Sequence, residues 1–450
     1  MNRLFFENVR CFFAPQSAPL RPMTLLVGEN SAGKSTFLAL VRLAWDLCQG
    51  ISPLDLNEEP FLLGAYDQVA SSRRGRSGRA QQFCIGAEVV NVGPVRKRAL
   101  VVRSIDSMTV KGRFVRKEGQ PHLQEWVLKA TPFQIEIIYE EPEKPPRLTL
   151  QSPSGSMRIA DFPMFPPLWR FPILFDSLRY RRSRKGPPQD TPPIEGDILS
   201  SADREALQEL VLALHSGLRQ RPYAFAPIRT RPRRTYDPLK DIPEPEGSHV
   251  PMILAKAFTS DSREAARLRE AIDTFGRASG LFTDIDIRRI GRKEGDPFQL
   301  QVKIAGSGMN LVDVGYGVSQ VLPIIVDAIR EPQESTFLLQ QPEVHLHPRA
   351  QAELGSFLGI LAKQQQKHFI IETHSDYLVD RIRMDIRDGK HLKPDDVAIL
   401  YFERKGGEAQ IHTMGIDHFG NLSGVPPGYR QFFLEEERRL LGGSDDVRDH

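Results

Sequence analysis

The chain is poor in cysteine and tryptophan, with three of each in 450 residues, and it has no long apolar run. Cys11, Cys48 and Cys84 are scattered without a CxxC pair. That argues against a disulfide framework and a structural zinc site, and it fits a reducing cytoplasm. The longest apolar stretches, such as MTLLVG and VLPIIVDAI, fall far short of the roughly 20 residues that a membrane span needs. The opening MNRLFFENVRCFFAP reaches no small-residue cleavage site, so no secretory leader is expected. What remains is 40% hydrophobic and 26% charged, enough apolar material for a sizeable core. The expectation is a cytoplasmic globular chain with one large composite domain or two to three domains.

A net charge of +3 conceals an uneven distribution. Residues 71–185 hold 22 Lys and Arg against 10 Asp and Glu, a balance of +12, so the remainder carries −9. A basic middle of this kind fits a polyanion partner or, equally, the solvated surface of a basic lobe.

The two ends of the chain read as α/β. LFFENV and Met23 to Val27 are expected strands, and FLALVRLAWDLC carries Phe37, Leu40, Val41, Ala44 and Leu47 on one helical stripe. After residue 300, strand and helix alternate, which implies a parallel sheet with helices packed on it. VDVGYGVSQ leads into the helix VLPIIVDAIRE, STFLLQ and HFIIETHS are strands with helices behind them, and DDVAILYFER is a further strand. Between the ends lie short β-rich runs: FCIGAEVVNVG, ALVVRSIDSMTV, GRFVRK, LQEWVLKA, FQIEIIYE and RLTLQS. EGQP and EEPEKPP are the expected turns. Two helices follow. One is opened by Ser200 with Asp203 three residues on, and the other is closed by Gly280. The expected division is therefore 1–70 and 300–450 as two halves of one core, with 71–299 as a β-rich and helical insertion.

Gly28-Glu-Asn-Ser-Ala-Gly33-Lys34-Ser35 fits GxxxxGK[ST], with a strand before it and a helix after. The loop of Gly28, Asn30, Ser31, Ala32 and Gly33 would turn backbone N–H groups inward, and the helix N-terminus adds its positive dipole end. Lys34 would reach the β- and γ-phosphates, Ser35 would ligate Mg²⁺, and Thr36 continues the site into the helix. FLLQQPEVHLHP and FIIETHS are buried strands that end in polar residues, and strand ends are where open α/β sheets bind ligands. His374 at the second tip is a functional candidate. His345 and His347 are expected to shape the turn rather than to hold a metal. Asp395-Asp396 invites a metal-nuclease reading. The roughly fifty residues beyond the following strand are too few for such a domain.

GENSAGKST, VDVGYGVSQVLPII, QPEVHLHP and ETHS together resemble bacterial ATPases of the RecF and OLD-like group, many of them linked to phage defence. The resemblance covers about residues 1–70 and 300–440, with YAFAPIRTRPRR between them. It implies an ABC-type P-loop NTPase head that binds ATP and Mg²⁺ and closes as a homodimer or higher homo-oligomer. A separate nuclease or toxin chain would be its effector, and there would be no membrane partner. Lys34 and Ser35 would bind phosphate and magnesium, and His374 would contact the γ-phosphate. Gly315, Gly317 and Ser319 would form the signature segment that meets the opposing subunit's nucleotide. Depending on register, Gly315 or Ser319 takes the place of the family's serine.

The sequence departs from the pattern where the Walker B strand should end in acids. Gln340 and Gln341 stand there, with Gln340 in the metal position and Gln341 in the catalytic one. Gln can hydrogen-bond a metal-bound water but cannot act as a general base. Glu343 is the nearest carboxylate. Either Glu343 takes over part of the role, or the chain binds ATP better than it cleaves it, or a Glu was engineered to Gln. The readings left open are a gating ATPase, a nucleotide-dependent scaffold with little turnover, and a transporter subunit that the long insertion disfavours. Arg-rich clusters at Arg73–Arg79, Arg96–Arg98, Arg181–Lys185 and Arg229–Arg234 are candidates for duplex DNA backbone contact. No helix-turn-helix, zinc finger or basic zipper accompanies them, so sequence-specific reading is not expected.

Overall fold

The computed structural model describes residues 1–50, 54–72, 78–90, 107–141, 144–160, 194–196, 199–218, 220–237, 242–291, 293, 295–304 and 306–440. Its centre is a sheet whose strands run in the order β11 (Tyr223–Phe225), β15 (Thr336–Gln340), β16 (His368–Glu372), β3 (Met23–Gly28), β17 (Val397–Lys405), β18 (Glu408–Ile416) and β19 (Leu422–Ser423). The first five are parallel; β18 pairs antiparallel with β17, and β19 antiparallel with β18. The near-continuous apolar runs of β3, β15, β16 and β17 fit strands covered on both faces. Period-two alternation then assigns each side chain to a core. Met23, Leu25, Phe337, Leu339, Phe369, Ile371 and Ile399 face one cluster, while Leu26, Leu338, Ile370 and Leu400 face the other.

The cluster with Leu26, Leu338, Ile370 and Leu400 is capped by a second, wholly antiparallel sheet of nine strands. Its order is β10 (Ile194–Gly196), β9 (Gly155–Ile159), β8 (Arg147–Ser152), β7 (Phe133–Ile138), β6 (Gln120–Ala130), β5 (Ser107–Lys117), β4 (Gln82–Val90), β1 (Arg3–Glu7) and β2 (Gln16–Pro19). Helix α1 (Lys34–Cys48) lies between this sheet and the parallel one. The sequence shows an amphipathic stripe, yet 13 of the helix's 15 residues are buried, because a sheet covers each side. Behind α1 come the short α2 (Tyr66–Val69) and α3 (Ser201–Gly217), where the Ser200 hydroxyl accepts the N–H of Asp203 at 3.1 Å.

The other face of the parallel sheet carries α4 (Val250–Thr259), α5 (Arg263–Ser279), α6 (Tyr316–Arg330), α7 (Pro348–Gln364) and α8 (Asp376–Arg387). Gly280 ends α5 at φ 74°, as its position after the last apolar residue predicts. A three-stranded sheet of β12 (Asp284–Arg289), β13 (Phe298–Ile304) and β14 (Ser307–Asn310) delivers the chain to α6, and α9 (Gln431–Leu440) follows the last strand.

Three local expectations change. SMTV and GRFVRK form one strand, β5, with Gly112 inside it. A Cβ there would lie 2.9 Å from Leu47 of α1, so this glycine marks the close approach of the helix and not a break. The EGQP turn narrows to Glu118-Gly119, both at positive φ, which suits a two-residue hairpin. Helix α6 begins at Tyr316 and takes in most of the Gly-rich segment, since Gly317 lets it pack on the turn after β15: a Cβ would sit 2.9 Å from the His345 carbonyl oxygen.

Strand pairing also runs across the expected divisions. β1 pairs with β4 across residue 70, and β11 joins the parallel sheet from within 71–299. The cysteines are free, and among the described residues no helix is long and apolar enough to cross a membrane.

Candidate nucleotide-binding site

The carboxyl ends of β3, β16 and β15 lie side by side, and the predicted site residues gather there. The loop from Gly28 to Lys34 joins β3 to α1 in a tight wrap. Gly28 has φ +127°, and a Cβ on it would stand 2.3 Å from the Phe402 carbonyl oxygen of β17. Gly33 has φ +98°, and a Cβ on it would meet the Phe12 ring at 2.5 Å. Both positions therefore exclude a side chain on two counts. Asn30, Ser31 and Ser35 are exposed, while Ala32, Lys34 and Thr36 are buried. Lys34 Nζ donates to the carbonyl oxygens of Gly28 at 2.9 Å and Glu29 at 2.6 Å. Arg404 braces the loop through the Ser31 carbonyl oxygen at 3.1 Å, and Arg10 donates to the Thr36 hydroxyl at 3.2 Å. Burial pushes the Lys34 ammonium below its ordinary value, against the pull of Glu372, Glu29 and Glu343.

At the tip of β15, Gln340 is buried and Gln341 takes a left-handed backbone, φ 44°. The Gln341 N–H donates to the Glu372 carbonyl oxygen at 2.8 Å. A compact turn follows, with the Val344 N–H on the Gln341 carbonyl and the Leu346 N–H on the Glu343 carbonyl. His345 sits in it at φ 66°. His347 caps α7, its Nδ1 accepting the Arg349 N–H at 3.4 Å ahead of Pro348. Asp396 likewise belongs to a turn: its carboxylate accepts the Lys393 N–H at 2.9 Å.

Glu343 is buried, and its Oε1 accepts the backbone N–H of His374 at 2.7 Å. The turn after β15 is thereby tied to the tip of β16. Burial raises the Glu343 carboxyl above its ordinary value, while that N–H and the nearby Arg229 oppose the rise. The His374 ring is exposed, and partial burial with the neighbouring Lys34 charge lowers its pKa.

Gly315 stands at the exposed N-terminus of α6 beside exposed Tyr316. Ser319 lies one turn further in and is buried, its hydroxyl donating to the Tyr316 carbonyl oxygen at 2.8 Å. Of the two positions considered for the signature serine, Gly315 is therefore the one that faces outward.

Two residues of this site were not singled out from the sequence. Glu372 is the last residue of β16, level with Gln340 on β15 and with Leu26 on β3. Its Oε2 accepts the Ser35 hydroxyl at 2.7 Å. The signal was a carboxylate directly before Thr-His-Ser, but the strand order that sets it beside the P-loop is tertiary. The other is Arg229, read as part of a surface cluster. It is 2% exposed, because β11 pairs with β15 and carries the following segment over the strand tips. Its N–H donates to Gln320 Oε1 of α6 at 3.2 Å, and its Nη2 to the Gln340 carbonyl oxygen at 3.3 Å. Burial lowers the guanidinium to about 10, with Glu343 as the opposing charge. Its Nε and Nη1, Gln340 Nε2 and Glu343 Oε2 have no hydrogen-bond partner.

The expected basic patch at Arg229–Arg234 shrinks accordingly. Arg229 is internal and Arg234 is paired with Asp313 at 2.6 Å, which leaves Arg231 and Arg233 on the surface. Arg96–Arg98, Arg181–Lys185 and most of Arg73–Arg79 lie outside the described residues; Arg79 pairs with Asp67.

A glycine loop at the end of a parallel strand, a neighbouring strand inserted before β15, and an antiparallel sheet over α1 define a P-loop ATPase head of the ABC type. The family described as "AAA domain, putative AbiEii toxin, Type IV TA system" matches residues 163–380, just under half of the chain. That stretch includes Arg229, the N-terminus of α6, the turn after β15 and the tip of β16, while the P-loop lies before it. No curated protein matches the chain. Among solved structures, the Smc head bound to the C-winged helix domain of ScpA is 10% identical over 92% of this chain and 97% of its own, TM-score 0.46. The Smc head domain with an extended coiled coil, bound to the C-terminal domain of ScpA derived from Pyrococcus furiosus, is 9% identical over 97% and 99%, TM-score 0.43. The SMC head domain from Thermotoga maritima is 10% identical over 91% and 97%, TM-score 0.35.

Proposed function

We propose that the chain is an ATP-binding head whose nucleotide-dependent closure, as a homodimer or higher homo-oligomer, gates a separate effector chain or duplex DNA. The observation that carries this reading is the P-loop: two glycines held open by close backbone and ring contacts, with Lys34 and Ser35 at the start of α1. The loop fits a nucleoside triphosphate. Its left-handed glycines free the backbone N–H groups at a helix N-terminus for phosphate, and Lys34 already reaches carbonyl oxygens of the loop that phosphate oxygens would replace. The Ser35 hydroxyl would help hold Mg²⁺, which would offset the negative charge of the phosphates. Gln340, Gln341 and Glu343 form the polar floor, and Glu343 orients the tip bearing His374 through the backbone. His374, exposed and with its pKa lowered beside Lys34, is the neutral ring placed to sense a terminal phosphate. The exposed N-terminus of α6, with Gly315 and Tyr316, is the surface offered to a second head.

The setting proposed is bacterial, cytoplasmic and defensive, in line with the toxin–antitoxin wording of the matched family and the phage-defence resemblance; DNA maintenance is the related alternative. Arg231, Arg233 and the basic balance of residues 71–185 support a DNA-backbone contact. Gln340 and Gln341 favour a second reading, a nucleotide-dependent scaffold that holds its effector and turns over little ATP.

One set of measurements separates the readings: ATP affinity and phosphate release for the chain, Lys34→Ala and Gln340→Glu. Loss of the Lys34 contact should weaken ATP binding about a hundredfold, the scale of a charge-assisted phosphate contact. Unchanged affinity would refute the P-loop assignment. Release at an ordinary ATPase rate from the unmodified chain would discard the scaffold reading; release that appears only in Gln340→Glu would favour it.

A further inference from the structure

The geometry points to Glu372, at the end of β16, as the carboxylate that helps hold the nucleotide-associated divalent cation, in place of an acid at the end of β15. The inference rests on the nucleotide-binding reading above and assigns its metal site.

The argument starts from charge. A P-loop metal is held by the loop's Ser or Thr and by an acid on a neighbouring strand. Mg²⁺ keeps near-octahedral oxygen ligands and engages one or two carboxylates beside the phosphates. The strand that should provide the acid ends here in Gln340, which is neutral, and Gln341 is neutral as well. The register supplies the replacement. Gln340 on β15 is paired with Glu372 on β16, and Glu372 with Leu26 on β3. The carboxylate has thus moved sideways by one strand, roughly 4.8 Å, toward the P-loop strand and not away from it.

Hydrogen bonding shows where the carboxylate points. Ser35 Oγ donates to Glu372 Oε2 at 2.7 Å. A serine hydroxyl has one proton and two lone pairs. With its proton on Glu372, the oxygen keeps lone pairs for a cation, and the second carboxylate oxygen is free to engage the cation or its waters. Burial raises the Glu372 carboxyl above its ordinary value, and the Ser35 hydroxyl and the Lys34 charge oppose that rise.

The other acids nearby are committed differently. Glu343 holds the His374 N–H and faces Arg229, and Glu29 is exposed on the loop. Among the described residues, Glu372 is the acid in direct contact with the P-loop serine. A purely structural tie between β16 and α1 would give the same hydrogen bond, so the test reads metal dependence and not stability.

A fluorescent ATP analogue is titrated into the full chain in EDTA and in excess Mg²⁺. For the unmodified chain, Mg²⁺ should tighten binding about tenfold or more, the scale of a charge-assisted contact. Glu372→Gln should keep the EDTA affinity and reduce the Mg²⁺ effect to within about twofold. Glu372→Gln with Gln340→Glu should recover the effect, because the acid returns to the neighbouring strand. Should Glu372→Gln not fold, Glu372→Asp takes its place, with a Mg²⁺ effect between the two. A full Mg²⁺ effect in Glu372→Gln or Glu372→Asp, or none in the unmodified chain, overturns the assignment. Absence of nucleotide binding in both buffers refutes the nucleotide-binding reading instead.

Discussion

The tips of β3 and β15 stand two strands apart and are built in opposite ways. At the tip of β3, the Lys34 ammonium and the Thr36 hydroxyl have partners within the protein, and arginines brace the loop from both sides. At the tip of β15, Gln340 Nε2, Glu343 Oε2 and two nitrogens of Arg229 are buried without one. The first tip is preorganised by sterics, chiefly the carbonyl of Phe402 and the ring of Phe12. The second is an electrostatic arrangement, in which a buried cation and a buried carboxylate stand beside two neutral glutamines. A P-loop can therefore be kept intact while the neighbouring strand's chemistry changes, because different contacts hold the two.

That contrast can be broken most directly at Gly28. Gly28→Ala puts a Cβ against the Phe402 carbonyl at an unfavourable φ and should cost about 3 kcal/mol, read as a fall in Tm together with loss of ATP affinity. An unchanged Tm would mean that sterics do not hold the loop. The second tip should answer to charge. Arg229→Met leaves Glu343 buried without its cation and should cost about 2 kcal/mol, and adding Glu343→Gln should recover most of that. Strict additivity in denaturant unfolding would show that the two are not coupled. The smallest effect concerns the tip of β16. Ser375 caps α8 by accepting the Leu378 N–H at 3.1 Å, and Ser375→Ala should cost about 1 kcal/mol. A loss well beyond that would mean that the bond from Ser375 to Gln351 also anchors the His374 tip.

Much of the fold was legible because it is local. The apolar runs of β3, β15, β16 and β17, the glycine loop and the ends of α3 and α5 each follow from residues within a few positions of one another. Lys34, Ser35, Glu343 and His374 lie together just beyond the carboxyl ends of β3, β15 and β16. Arg229 and Glu372 were not legible in the same way. An arginine among arginines reads as surface, and only the pairing of β11 with β15 buries this one. Glu372 reads as the end of a strand until the order β15-β16-β3 sets it beside Ser35.

The stripe on α1 was visible in the sequence, but its nearly complete burial was not, since the covering strands come from residues 3–19 and 82–159. Sequence alone determined the scarcity of cysteine and tryptophan, the α/β alternation and the phosphate loop, since composition, period and spacing are properties of neighbours along the chain. Tertiary structure decided which acid stands by the P-loop serine, which arginine is internal and where the β-rich middle belongs. Those follow from strand order and register, which bring together residues as far apart as Ser35 and Glu372.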